Sequence, residues 1–193
     1  MNRALYAAGW GYVALCGWVL LRGSPALPMR AEPPAPGAPF RGAAGEWFAQ
    51  VKPFCNAVEV EVRQQHLPAP ATVDGAGYSA ACYALAGKID RAREVIERLS
   101  AGDRSTAAGI VFEIGHPVAD AGDDQSAGPI MRLVVSYQPQ NYMALYHAGM
   151  SEYILGQMDL ARTHLRQFLD LYRSDDGWRG NALDVLRRLD AAP

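Results

Sequence analysis

A seven-residue pattern, G-x-φ-D-x-A-R with φ apolar, occurs twice in the chain. It reads Gly87-Lys88-Ile89-Asp90-Arg91-Ala92-Arg93 and then Gly156-Gln157-Met158-Asp159-Leu160-Ala161-Arg162. The copies start 69 residues apart (Gly87 to Gly156), one residue more than two periods of about 34. Recurrence at such a distance marks stacked units, each too small to bury its own apolar face. It also predicts a middle unit. Counting back one period from Tyr142 starts that unit at Ala108, with Gly115, Gly122, Ala127 and Pro139 at its eighth, fifteenth, twentieth and thirty-second positions. The unit from Tyr142 has Gly149, Gly156 and Ala161 at the same eighth, fifteenth and twentieth positions, and the unit from Val73 has Ala80, Gly87 and Ala92.

Between these small residues the apolar spacing is helical. Ile89, Ala92, Val95, Ile96 and Leu99 share one face, as do Leu160, Ala161, Leu165, Phe168, Leu169 and Tyr172. After Asp176-Gly177, the residues Trp178, Ala182, Val185, Leu186 and Leu189 mark a last amphipathic helix, with Arg187 and Arg188 where positive charge suits the helix dipole. Such a helix would close the apolar end of a repeat stack.

This set of small residues, with a proline closing a helix pair, resembles the tetratricopeptide-repeat family. The resemblance implies an all-α solenoid of helix-turn-helix units: a degenerate leading repeat at 39–72, repeats at 73–107, 108–141 and 142–175, and a capping helix at 177–190. In that family the first helices line a concave groove. The positions that would face it here are Phe112 and His116 in the middle repeat, and Met143, Tyr146, Met150 and Tyr153 in the last. Aromatic and Met side chains suit an apolar or mixed protein surface, though the same residues would equally serve as core between repeats. The basic and Asn cluster of variants that clamp a carboxylate terminus is missing from these positions. Pro117 and Gly128-Pro129 depart from the pattern, so short helices and an irregular loop from Val118 to Gln125 are expected.

In the leading repeat, Trp47, Val51, Phe54, Cys55, Val58 and Val62 form the expected apolar set. The alternation Val58-Glu59-Val60-Glu61-Val62 would also suit a strand, but a lone strand beside a helical stack has nothing to pair with. The family register places Cys55 early in that unit's second helix and Cys82 in the next unit's first. Those helices pack together in this fold, which leaves a disulfide and two buried thiols as alternatives.

Ahead of the repeats, Ala4 to Leu21 is free of charge and is flanked by Arg3 and Arg22. As a helix these residues would span roughly 27 Å, near the thickness of a bilayer's hydrocarbon. Tyr6, Trp10 and Trp18 fall on one face, and Ala7 and Gly11 form a small-xxx-small pair for close helix contact. A retained anchor at 1–22 is therefore expected over a signal peptide cut near Ser24-Pro25-Ala26. Leu15 before Cys16 argues against a lipoprotein. Residues 23–45 are rich in Pro and Gly and read as a semi-rigid linker, with 46–193 as the helical domain. The short N-terminal tail places that domain on the periplasmic side of an inner membrane.

Catalysis finds little support. The four histidines stand in no His-x-x-x-His or His-Glu-x-x-His arrangement, and neither a phosphate-cradling loop nor a G-x-S-x-G elbow is present. Glu113, His116, Asp120, Asp123 and Asp124 gather near one stretch, read here as a solvated loop and not as a metal site. A formal net charge of −2 gives no field for nucleic acid. The expectation is a non-enzymatic interaction scaffold, or an accessory subunit of a bacterial membrane complex, with no cofactor. A soluble periplasmic adaptor and a binder of a small apolar ligand are the alternatives.

Overall fold

The structure is a computed structural model, and it describes residues 42–191. The expected anchor at 1–22, with Tyr6, Ala7, Trp10, Gly11 and Trp18, and most of the linker lie outside the described residues. Among the described residues no helix is long and apolar enough to cross a membrane.

The described chain is all-α. It comprises α1 (Gly42–Val51), a 3-10 turn (Lys52–Phe54), α2 (Val60–His66), α3 (Val73–Leu85), α4 (Ile89–Glu97), α5 (Ala101–Asp120), α6 (Asp124–Tyr137), α7 (Tyr142–Ile154), α8 (Met158–Leu171) and α9 (Gly177–Ala191). Helices α3 and α4, α5 and α6, and α7 and α8 pack as successive pairs, and α9 lies against α7 and α8.

Three turns inside these pairs share one geometry. Gly87, Gly122 and Gly156 have φ of 73°, 76° and 77°, a conformation that favours a residue without Cβ. Behind each glycine the next amide reaches back to a helix carbonyl: Lys88 to Tyr83, Asp123 to Val118, and Gln157 to Glu152. Each glycine amide also bonds the residue three before it, at Ala84, Ala119 and Tyr153. This motif satisfies the last carbonyls of a helix and reverses the chain. The small residues at the eighth positions serve packing. A Cβ on Gly115 would fall 2.5 Å from Ile130, and one on Gly149 would fall 2.7 Å from Leu165. At their N-termini α3, α5 and α7 are capped by Thr72, Ser100 and Asn141, whose side chains accept from Gly75, Asp103 and Ala144.

Three expectations are corrected. The proline-containing stretch does not fray: α5 runs unbroken through Pro117, α6 through Pro129, and only 121–123 separate them. The carbonyls deprived of a proline N–H belong to Glu113 and Gln125, both exposed residues where water can substitute. In the leading segment Val58 and Val62 do not face inward; they are 85% and 55% exposed, while Val60 is fully buried. The inner face of α2 is instead Val60 with Gln64, which pairs with Ser79 of α3. Cys55 sits just beyond the 3-10 turn, not inside a second helix, and is bonded to the buried Cys82 of α3.

The apolar core falls into two clusters. The first includes Trp47, Phe48, Val60, Cys82, Ile96, Val111 and Met131, and extends to Ala144 and Ala148 of α7. The second joins Leu145 and Tyr146 of α7 to Leu165, Phe168, Val185 and Leu189. Each large apolar side chain fully buried in this way contributes about 1.5–3 kcal/mol.

Candidate functional site

Helix α7 carries the polar side chains that the two clusters leave between them. Glu152 is fully buried and its carboxylate is held from two sides. Arg132 of α6 lies 3.4 Å from Oε1, and His164 of α8 has Nδ1 2.7 Å from Oε2. The same Arg132 donates to Gln157 at 2.8 Å. A charge taken out of water requires partners of this kind. Immediately before it, the buried Ser151 hydroxyl donates to Asp124 of α6 at 2.8 Å.

One turn back from Ser151 stands His147, also buried. Its Nε2 lies 2.9 Å from Nε2 of His116, from the last turns of α5. One ring must donate and the other accept, because two lone pairs at that distance would repel. Asp120, one turn beyond His116 on the same face of α5, points an oxygen at both rings. Its Oδ1 is 3.6 Å from His116 Nε2 and 3.8 Å from His147 Nε2, too long for a direct hydrogen bond. Burial, reinforced by the neighbouring His116, pushes the His147 pKa down to about 4, against the opposing pull of Asp120 and Asp124. At neutral pH the His147 ring is therefore uncharged.

The histidine pair lies within a continuous path of ring contacts. Phe112 stacks on His116 with centroids 5.0 Å apart, and His116 meets His147 edge-on at 4.8 Å. His147 touches Tyr146 at 5.4 Å and Trp178 of α9 at 5.6 Å, and those two meet at 4.8 Å. Tyr146 continues to Phe168, then to Tyr172 and Tyr142. Offset and edge-on contacts of this kind are the favoured ring geometries.

Of the sequence-predicted groove residues, the structure brings Phe112, His116 and Tyr146 onto this path. Phe112 and His116 are half-buried, whereas Tyr146 is buried and serves the second cluster. Met150 and Tyr153 are half-buried and pack against that same cluster; Met143 is half-buried at the start of α7. His147, Trp178, Asp124, Glu152 and His164 were not picked out by sequence reasoning as site residues. No local motif announces them, since their partners lie on other helices. Two open clefts lie away from the histidine pair. One of about 390 Å³ is lined by Phe54, Val58, Glu59, Val62, Arg63 and His66, and one of about 490 Å³ by residues including Tyr137, Gln138 and Tyr142.

No known family model, curated protein or solved structure matches this chain.

Proposed function

We propose that this chain is a non-enzymatic protein-interaction scaffold of the tetratricopeptide-like kind, serving as an accessory subunit of a membrane complex. The observation that supports it is the ring path from Phe112 to Trp178. It crosses α5, α7 and α9, and its members Phe112, His116 and Trp178 keep part of their surface in water. Met143 and Met150 lie on the same helix, α7, and are half-buried, adaptable side chains suited to an apolar or mixed partner surface. Rigid aromatic rings are also the usual anchors of protein interfaces. In this reading the charge-free run from Ala4 to Leu21 tethers the scaffold to the inner membrane, with the repeats on the periplasmic side.

The test is purification of the full chain in mild detergent, identification of what co-elutes, and repetition with Phe112→Ala combined with Met150→Ala. The expected result is a co-eluting protein whose retention falls about tenfold or more in the double variant, in keeping with the loss of interface anchors. A lone monomer, or retention untouched by the double variant, overturns the proposal.

A further inference from the structure

We infer that His116, Asp120 and His147 form a binding site for one divalent transition ion of the zinc class. The ion would be held by two imidazole nitrogens and one carboxylate oxygen, with its remaining position open to solvent. The three ligand atoms form a triangle with edges of 2.9, 3.6 and 3.8 Å. Tetrahedral bonds of about 2.0–2.1 Å place ligand atoms roughly 3.3–3.4 Å apart, the middle of that range. The oxygen of Asp120 stands off both rings by more than a hydrogen bond and less than two full bond lengths. A central ion would occupy that gap.

The local charge points the same way. Among the described residues, no Lys or Arg pairs with either Asp120 or Asp124, which both lie beside the uncharged His147. Among the described residues, the site therefore holds negative charge with no Lys or Arg beside it. Two imidazoles with one carboxylate favour zinc-class ions over Mg²⁺ or Ca²⁺, which take oxygen ligands. The scaffolding is firm on two sides. His116 and Asp120 are one turn apart near the end of α5, and His147 is wedged among Tyr146, Trp178 and His116 on α7. Both Nε2 atoms must present lone pairs to the ion, so the ring that donates in the empty site would carry its proton on Nδ1 instead. The Asp120 side chain is 53% exposed, which leaves the open position reachable by water or by a partner's side chain. Bound there, the ion would add a coordinate link between α5 and α7, two helices that already meet through the His116–His147 contact.

The test uses the full-length, tag-free chain carrying Cys16→Ser, stripped with chelator and then titrated with ZnCl₂ by calorimetry and with Co²⁺ by optical absorption. The expected result is one ion per chain with a dissociation constant on the order of 1 μM or below, and cobalt bands without a thiolate charge-transfer feature. His116→Gln and Asp120→Asn should each weaken binding by about tenfold or more, while His66→Gln changes nothing. Both tested residues lie near a helix end, and melting in chelator verifies that the variants fold. Zinc binding weaker than about 100 μM, equal affinity for Mg²⁺, or affinity unchanged in the His116→Gln, Asp120→Asn double variant overturns the inference.

Discussion

Helices α3 and α7 occupy the same place in their units and have the same length, yet they are held by different means. Set 69 residues apart, Tyr78 corresponds to His147, Cys82 to Ser151 and Tyr83 to Glu152. Helix α3 is anchored covalently through Cys55–Cys82, and besides the Ser79 contact with Gln64 it presents mainly Gly, Ala and Tyr to its neighbours. Helix α7 is anchored by polar contacts at all three corresponding positions, to His116, to Asp124, and to Arg132 with His164. One backbone geometry therefore accommodates a covalent fastening and a polar one. The polar version is the one that offers chemistry, because its groups can exchange partners.

The contrast can be broken most forcefully at Glu152. Replacing it by Ala strands Arg132 and His164, and is expected to cost about 3–5 kcal/mol in urea unfolding. A cost below about 1 kcal/mol would place this seam with ordinary surface pairs and end the distinction. On the other side, Cys55→Ala with Cys82→Ala releases a loop with a sequence separation of 27. Chain entropy puts the loss at about 3–4 kcal/mol, measured as a shift in the same unfolding midpoint. The loss should be unaffected by whether Glu152 is intact, since separate sites add.

Acid should act on one helix only. The folded-state pKa of His147 lies near 4, below the ordinary value of 6.5, so the unfolded chain binds more protons between those values. In chelator, stability is then full above pH 6.5 and falls as pH drops towards 4, by about 3 kcal/mol at most. His147→Gln should flatten the upper part of that window, before carboxylates titrate; an unchanged slope would mean that the ring ionises freely. Its counterpart Tyr78 is a phenol that stays neutral throughout the range. The smallest effect concerns the eighth position, Ala80 in α3 and Gly149 in α7. Gly149→Ala pushes a methyl to within 2.7 Å of Leu165 and is expected to cost about 1–3 kcal/mol by thermal melting. Gly115→Ala, against Ile130, should behave alike.

The all-helical architecture was legible because it is written in local spacing. The glycines at 87, 122 and 156 declare turns through their freedom at positive φ, and the apolar stripes of α4, α8 and α9 follow one face each, except that Leu160 of α8 is exposed. Val58, Val60 and Val62 illustrate where local reading stops. Alternation cannot tell which residue of a short helix faces inward until its neighbour is placed, and Gln64 bonding to Ser79 settles that face. Pro117 and Pro129 misled for a related reason, since the penalty of an interior proline shrinks where the orphaned carbonyl meets water. The histidine pair was illegible because His116 and His147 are 31 residues apart on different helices. Their meeting depends on how α5 and α7 approach across α6, which no single-helix pattern records.

The division of the core has a consequence for how this chain comes apart. Helix α7 lends Ala144 and Ala148 to the first cluster and Leu145 and Tyr146 to the second. Peeling α8 and α9 away exposes only the second cluster, while the bridged first cluster keeps its packing. Opening from that end is therefore a step short of complete unfolding. A partner resting on Trp178 would grip the segment that opens first. Its attachment and the closing of that segment would be a single equilibrium, so that occupancy is read out as heat resistance of the C-terminal helices.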